Sequence, residues 1–305
     1  TMLSGRIYLP KNGDIKNIVI AHHYTIGADR EAPSQTFTFE ALLAAKGYVV
    51  LMPDYMGFGI SRDSIHPYLN ASMTAQASLD MLNASIPFLY YRGVRVLSTE
   101  LILCGYSQGA AAALAVQRLI ETSYPEYTVL RTYIGAGPYS PAETYDYCVK
   151  TDKTSIPCAV PMLLQGMLVS EHLDYKMEDL LLPPLREHYQ EWINSKEYTM
   201  FQINAMIGSK RVSEIISPLA LDKSRYPTNT FYEALKRNRI DGWMPRGSIY
   251  MFHSLSDDMV PFVNSTILQR YFESIGFDDV SYDFGEYGPH MSAALRFFQN
   301  LYNAL

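Results

Sequence analysis

The chain has 305 residues, enough for one large domain or for one domain with an insertion. Hydrophobic residues make up 48% and charged residues 18% of it, which is ordinary for a globular protein. The net charge of −6 provides no basic surface, so nucleic-acid binding is not expected, and no apolar run is long enough to span a bilayer.

Strand and helix patterns alternate over most of the chain. Short runs that are apolar at every position indicate strands buried on both faces, and amphipathic helical patterns separate them. This alternation predicts a mostly parallel sheet that helices cover on both sides. The predicted strands are 15–21, 48–52, 100–107, 128–136, 247–252 and 279–284, with an antiparallel edge strand at 3–9. The predicted helices are 36–46, ended by Gly47, 73–91, interrupted by Pro87, 108–121, 263–274 and 291–305.

Residues 140–245 lack this alternation. The segment contains the pair Pro183-Pro184 and Leu- and Met-rich helical patterns at 162–169, 177–182, 185–193 and 231–237. We interpret it as a helical insertion, so that 1–139 and 246–305 form the core domain. As a lid over the carboxyl edge of the sheet, it would exclude water and shape an acyl pocket. A helical subdomain that only packs, or a dimer interface, is the alternative.

The most informative motif is G-x-S-x-G at residues 105–109. It follows an apolar strand and precedes an Ala-rich helix, which predicts a nucleophile elbow with the hydroxyl of Ser107 at its apex. Gly105 and Gly109 are required because a side chain there would strike the neighbouring strand or helix. The backbone N–H of Gln108, at the start of the helix, is then a predicted oxyanion donor.

Two later loops provide the partners that a serine nucleophile needs. A histidine must take the serine proton, and a carboxylate must orient that histidine. On this kind of sheet the chain order is serine, acid, histidine. The adjacent Asp257 and Asp258 follow the predicted strand 247–252, and the spacing does not tell which of them turns inward. His290 follows the predicted strand 279–284 and is the predicted base.

The loop after the first buried strand supplies the second oxyanion donor in this kind of fold. We assign that donor to the backbone N–H of Thr25, with Tyr24 as the alternative. The strand itself ends at His22 and His23, whose side chains point to opposite sides of it, which is a poor arrangement for binding one metal ion.

The chain has no pattern for metal or cofactor binding. H-E-x-x-H and C-x-x-C are absent, as are a P-loop and a dinucleotide glycine fingerprint, so neither a metal nor a cofactor is expected. His253 is predicted to support the loop of Asp257. Three further histidines follow no strand end and are weak candidates for the base: His66, His172 and His188.

The three cysteines form an odd set. Cys104, in the strand before the elbow, is predicted to be a small buried hydrophobe. Cys148 and Cys158 form a small disulfide loop if the protein is exported, or they are free thiols. The chain shows no signal peptide and begins at Thr1 rather than Met, which indicates a trimmed start and is compatible with a removed targeting segment.

Taken together, these residues resemble the α/β-hydrolase superfamily, and within it the secretory-lipase-like esterases. The likeness runs almost from end to end, the insertion excepted. P-D-Y-x-G-x-G at 53–59 and H-P-Y-L at 66–69 are more specific to the lipase-like branch than the elbow or D-x-x-V-P. The shared segments are 23–27, 53–59, 66–69, 105–109, 243–245, 253–261 and 288–290.

The resemblance implies a role for particular residues. The family pattern places the acid at the first aspartate of D-D-x-V-P, here Asp257, and agrees with Ser107 as nucleophile and His290 as base. One departure is Tyr24, since the family usually has H-G at this point, and a tyrosine changes the loop shape or adds a phenol beside the oxyanion. Two other residues of the shared segments are interpreted as structural: Asp54 and Arg62.

The implied function is hydrolysis of small-molecule carboxylic esters by a serine hydrolase through an acyl-enzyme. An esterase for acylated sugars, a peptidase of the prolyl-oligopeptidase kind and a non-catalytic ligand-binding member of the fold are the alternatives. Such a peptidase normally carries a propeller domain, for which 305 residues leave no room. We expect an exported protein (periplasmic, lipoprotein-anchored or extracellular), with a cytoplasmic one as the alternative. The oligomeric state is left open.

Overall fold

One sheet of seven strands organises the computed structural model, which describes residues 1–11, 15–94 and 99–305. The strand order is β1-β3-β2-β4-β5-β6-β7. β1 pairs antiparallel with β3, and every other neighbouring pair is parallel. The strands are β1 (Gly5–Tyr8), β2 (Ile18–His22), β3 (Val49–Pro53), β4 (Glu100–Tyr106), β5 (Thr128–Gly135), β6 (Ser248–Ser254) and β7 (Val280–Gly285).

Helices cover both faces of this sheet and fill the chain between β5 and β6. The α-helices are α1 (Ala71–Tyr91), α2 (Gln108–Ser123), α3 (Pro141–Thr151), α4 (Ala159–Ser170), α5 (Met177–Leu180), α6 (Leu185–Tyr189), α7 (Met200–Ile207), α8 (Pro218–Leu221), α9 (Thr228–Arg237), α10 (Val263–Ser274) and α11 (His290–Ala304). Short 3₁₀ helices lie at Asp29–Glu31, Phe39–Lys46, Gly59–Ser61 and Val212–Glu214, and a π-helix lies at Gln190–Asn194. In the part of the chain that the structure describes, no helix combines the length and the apolar composition that crossing a bilayer requires.

The predicted mostly parallel sheet is confirmed, and each predicted strand lies within three residues of its expected bounds. Two helix predictions were wrong in detail. The helix expected at 36–46 begins at Phe39 and is a 3₁₀ helix, although it does end at Gly47, whose φ is +96°. α1 is not interrupted at Pro87. The ring lies on the exposed side of the helix, so the carbonyl of Asn83 that loses its N–H partner faces water.

The core explains why the central strands are apolar at every position. Alternate residues of a strand point to opposite faces, and here both faces are covered. On β2, Ile18 and Ile20 pack in the cluster that holds α1 and α2. Val19 and Ala21 pack in the cluster on the other face, which contains α11. Burial of each large aliphatic side chain contributes roughly 1.5–3 kcal/mol, so the buried residues of these strands contribute strongly to stability.

Residues 141–237, called the helical segment below, lie between β5 and β6. The extended pairing found in this segment is a single isolated bridge between Leu181 and Ile216. Its helices share an apolar cluster of their own, separate from the two that cover the sheet. The two tryptophans of the chain divide accordingly, because Trp192 lies in the cluster of the helical segment and Trp243 in a cluster of the sheet.

Side chains interpreted as structural do connect parts of the fold. Asp54 is fully buried and accepts hydrogen bonds from the hydroxyl of Ser4 (2.6 Å) and the backbone N–H of Ser34 (2.8 Å). Arg62 forms an ion pair with Glu197 of the helical segment at 2.8 Å. Both contacts fit structural roles for these two residues.

The three cysteines are free thiols, so Cys148 and Cys158 follow the second of the two alternatives. Cys104 is fully buried in β4, as predicted. Burial raises the pKa of Cys148 to about 11, which keeps this thiol protonated and disfavours reaction as a thiolate.

Candidate active site

Four loops bring the predicted site residues to one edge of the sheet. Ser107 follows β4, Asp257 lies in the loop after β6, His290 begins the helix after β7, and Thr25 lies in the loop after β2. These four strands are mutually parallel, so their carboxyl ends meet at the same edge. Residues that are far apart in sequence therefore become neighbours.

The turn at Ser107 has the geometry of a nucleophile elbow. Ser107 has φ 57° and ψ −126°, a strained conformation for a residue with a side chain, and its N–H donates to the carbonyl of Gly135 at 2.8 Å. A Cβ on Gly109 would lie 2.1 Å from the carbonyl oxygen of His22, and one on Gly105 would lie 2.1 Å from that of Gly109. The expected clash at both glycines is thus confirmed.

The imidazole of His290 is bonded to a buried carboxylate. Its Nδ1 lies 2.6 Å from Oδ2 of Asp257, and the other oxygen, Oδ1, accepts the backbone N–H groups of Met259 (2.9 Å) and Val260 (2.8 Å). Burial alone would raise the pKa of Asp257, but hydrogen bonds from His253 and His290 hold it well below its ordinary value. Asp257 is therefore ionised at neutral pH. The expected support from His253 is present, with Nε2 at 3.4 Å from Oδ2.

Asp258 contacts the backbone of the same histidine rather than its ring. Its Oδ1 accepts the N–H of His290 at 3.1 Å, which satisfies one of the free N–H groups at the start of α11. The hydroxyl of Tyr106 donates to the carbonyl of His290 at 2.7 Å. A different residue therefore binds each group of His290: Asp257 the ring, Asp258 the N–H and Tyr106 the carbonyl. Of the two aspartates, Asp257 is the one bonded to the ring.

Ser107 and His290 line one small pocket of about 130 Å³. Tyr24 and Thr25 line the same pocket, and Tyr24 is 42% exposed at the surface. The rest of the lining is mainly apolar, with two residues from the helical segment among those of the core. These apolar residues include Ile156, Met200, Met259, Met291, Leu295 and Phe298.

Thr25 lines this pocket and Gln108 directly follows Ser107, and the peptide bond of each residue fixes the direction of its backbone N–H. The N–H of Thr25 shares a trans peptide with the carbonyl of Tyr24, and this oxygen lies 2.6 Å from Nδ1 of His23. The N–H of Gln108 shares a peptide with the carbonyl of Ser107, which accepts from the first turn of α2. Within residues 1–11, 15–94 and 99–305, neither N–H has an acceptor.

Two buried histidines near the site are neutral at pH 7. Nδ1 of His22 lies 3.1 Å from the carbonyl oxygen of Cys104, while its Nε2 has no partner among the described residues. Burial lowers the pKa of His22 to about 4 and that of His66 to about 3. Among the described residues, no three His, Cys, Asp or Glu side chains lie close enough together to hold a metal ion.

These histidines predict a loss of stability in weak acid. In the unfolded chain each titrates near pH 6.5, so below that pH the unfolded state gains protons that the folded state does not bind. The free energy of unfolding should fall by about 1.4 kcal/mol per pH unit for each histidine between pH 6.5 and the folded pKa. Urea unfolding at pH 7.5 and pH 5 measures the difference. His22→Asn, whose side-chain amide can donate to the carbonyl of Cys104 from the position of Nδ1, should remove the part of this loss that His22 causes.

The exposed His172 provides the matched control, because His172→Asn replaces a histidine that lies at the protein surface. This variant should keep the full pH dependence of the parent. Equal unfolding free energies of the parent protein at the two pH values would contradict the prediction.

The doubly covered parallel sheet, with a serine at the turn between β4 and α2, defines the chain as an α/β-hydrolase. Residues 33–298 match the family model of the secretory lipases, and the chain belongs to this family. No curated protein sequence matches the chain. Membership of the family supports an ester hydrolase.

Solved structures show the same fold at low sequence identity. A presumed hydrolase from Legionella pneumophila is 20% identical with a TM-score of 0.84, covering 96% of this chain and 79% of its own. The rice cell wall degrading esterase LipA from Xanthomonas oryzae is 21% identical with a TM-score of 0.80, covering 98% and 82%. Candida antarctica lipase A is 16% identical with a TM-score of 0.67, covering 96% and 73%.

Two contacts beside Ser107 and Thr25 could not be expected from the sequence patterns. His66, set aside because no strand precedes it, contacts the side chain of Gln108, and Tyr68 contacts Thr25. Both belong to the H-P-Y-L segment. The specificity of this segment for the lipase-like branch was the signal that could have drawn attention to them.

Proposed function

We propose that the protein is a serine hydrolase that cleaves carboxylic esters with Ser107, His290 and Asp257. The observation that carries the proposal is the 2.6 Å bond between His290 and Asp257 at the wall of the pocket that Ser107 also lines. An ionised carboxylate on Nδ1 fixes the tautomer that leaves Nε2 free to accept a proton. The strained elbow presents the serine to that same pocket.

The reaction proceeds in two halves. Nε2 of His290 takes the proton of the Ser107 hydroxyl as its oxygen attacks the ester carbonyl. The backbone N–H groups of Gln108 and Thr25 stabilise the tetrahedral oxyanion, and His290 then returns the proton to the leaving alcohol. Water, deprotonated by the same histidine, attacks the acyl-enzyme and releases the carboxylic acid while Ser107 regains its proton.

The size and lining of the pocket favour esters with short acyl chains as substrates. Its volume is about 130 Å³ and its lining is mainly apolar, so it suits a small hydrocarbon group rather than a charged one. Esters of acylated sugars are a second candidate, because the similar LipA is described as a rice cell wall degrading esterase. In both cases the substrate is a small-molecule ester.

The helical segment acts, in this proposal, as a lid domain over the site. Ile156 and Met200 from the segment line the pocket beside Ser107. A Cβ on Gly27, in the loop that holds Thr25, would lie 2.7 Å from the backbone nitrogen of Met200. These contacts support a division into a core at 1–139 and 246–305 and a lid at 140–245. Family membership supports an exported protein.

A fluorophosphonate probe and a panel of esters test the proposal together. The probe should label the purified protein at Ser107 with a stoichiometry near one, and labelling should abolish hydrolysis of nitrophenyl esters. Rates should be highest for acetyl to butyryl esters and should fall for long acyl chains, with acetylated sugars and proline peptides included for comparison. A protein that neither reacts with the probe nor hydrolyses any ester would be a binding member of the fold, and the proposal would be wrong.

A further inference from the structure

One loop contacts both residues whose backbone N–H groups are proposed to bind the oxyanion. It comprises residues 66–69, the H-P-Y-L segment. The amide Nε2 of Gln108 donates to Nε2 of His66 at 2.8 Å. The hydroxyl of Tyr68 lies 2.8 Å from Oγ1 of Thr25. We propose that His66 and Tyr68 are positioning residues that hold the two oxyanion donors at a fixed separation, an inference that rests on the proposed function.

The bond between His66 and Gln108 is compatible with only one arrangement of protons. Nδ1 of His66 lies 2.7 Å from the carbonyl oxygen of Met56 and must donate to it. Burial lowers the pKa of His66 to about 3, so its ring is neutral and its Nε2 can only accept. The amide of Gln108 is then the donor, and this bond fixes the position of the Gln108 side chain.

The bond between Tyr68 and Thr25 fixes the other donor. Both residues are buried, and each hydroxyl can donate to the other. Threonine is branched at Cβ, so a bond to Oγ1 restrains χ1 and, through it, the backbone of Thr25. A single hydrogen bond adds little to stability, but the direction that it gives to an N–H has a larger effect during catalysis.

The loop that makes these contacts is itself held on two sides. A Cβ on Gly57 would lie 2.7 Å from the Cα of His66, and one on Gly166 of α4 would lie 2.6 Å from the backbone nitrogen of Tyr68. The ring of His66 also stacks on Tyr55 with an interplanar angle of 9°. The loop is therefore packed between the turn at Gly57 and α4 of the helical segment. This packing restricts its movement, so that it can hold the oxyanion donors in place.

Support of the two oxyanion donors by His66 and Tyr68 should affect kcat rather than KM. The two N–H groups bind the oxyanion, which exists in the transition state and not in the bound ester. Loosening either donor should therefore lower kcat and leave KM nearly unchanged. A residue that only stabilised the fold would lower the melting temperature without this selective loss.

Tyr68→Phe tests the inference, with Tyr145→Phe as its matched control. Both tyrosines are buried and use the hydroxyl in a hydrogen bond, that of Tyr145 being to the carbonyl of Ala220 within the helical segment. We expect kcat for nitrophenyl acetate to fall about 10-fold in Tyr68→Phe, with KM changed less than about 2-fold, and to stay near the parent value in Tyr145→Phe. Affinity for a trifluoromethyl ketone, which forms a stable oxyanion on the serine, should fall by the same factor as kcat.

Thr25 completes a mutant cycle. Thr25→Val removes Oγ1 and should lower kcat as Tyr68→Phe does, the double variant should lose no more than either single one, and Thr25→Ser should retain most of the parent rate. His66→Phe combined with Gln108→Met should be non-additive in the same way. Folding of each variant is checked by its melting temperature and its fluorophosphonate labelling.

Two failures are distinguishable. If the parent protein is active and labelled at Ser107 but Tyr68→Phe behaves like Tyr145→Phe, the inference is wrong and the proposed function stands. Additive losses in the cycle, or a loss in KM alone, also overturn the inference. If the parent protein itself shows neither activity nor labelling, the proposed function fails.

Discussion

Ser107→Ala should reduce ester hydrolysis about 10⁴- to 10⁶-fold, the range expected when a serine hydrolase loses its nucleophile. Without the hydroxyl there is no acyl-enzyme, so the burst of nitrophenol and the fluorophosphonate label should both disappear. The backbone conformation is retained, because alanine meets the same strain at φ 57° as serine does. The residual rate reflects binding and the oxyanion donors alone.

Stopped-flow assays with nitrophenyl acetate and intact-mass measurement after probe treatment give the two readouts. Ser78→Ala is the matched control, since Ser78 is a fully buried serine in α1 whose hydroxyl bonds within its own helix. It should keep both the activity and the label. Hydrolysis by Ser107→Ala at the parent rate would show that another residue is the nucleophile.

Asp257→Asn should lower kcat about 10⁴-fold, as loss of the acid does in a serine–histidine–aspartate triad. The reason lies in the bonds of the second oxygen. Because the N–H groups of Met259 and Val260 require an acceptor at Oδ1, an asparagine must place its NH₂ at the position of Oδ2. That group faces Nδ1 of His290 and forces it to accept, so the ring carries its proton on Nε2 and cannot take another from Ser107.

Asp258→Asn should cost at most about 10-fold, because its amide oxygen can still accept the N–H of His290. The two isosteric variants differ by one atom from the parent protein and test adjacent residues of one loop. Steady-state kinetics and circular dichroism of both separate catalysis from folding. Equal small losses would refute the choice of Asp257 as the acid.

The sequence allowed the fold and the candidate site to be predicted because both depend on local patterns. Continuous apolar strands separated by amphipathic helices require a covered parallel sheet, and in such a sheet residues after strand ends share an edge. Ser107, Asp257 and His290 each follow a strand, so their convergence could be anticipated without knowing any distance.

Other features could not be predicted because they depend on tertiary contacts. The spacing of Asp257 and Asp258 is compatible with either aspartate on the ring. The packing of their loop against the start of α11 brings Asp257 to Nδ1 of His290 and Asp258 to its backbone N–H. The uninterrupted course of α1 depends on which side of the helix Pro87 occupies. The contacts of His66 depend on how a loop between β3 and α1 folds back over the elbow.

Because the two tryptophans lie in separate clusters, their intrinsic fluorescence can report on the helical segment and on the sheet separately. With Trp192 in the helical segment and Trp243 against the sheet, a variant that keeps one indole reports through fluorescence on one unit alone. Trp192→Phe and Trp243→Phe, unfolded side by side in urea, would show whether the segment melts together with the sheet or before it. Emission of Trp192 that changes on adding an ester inhibitor would report motion of the segment during the reaction cycle.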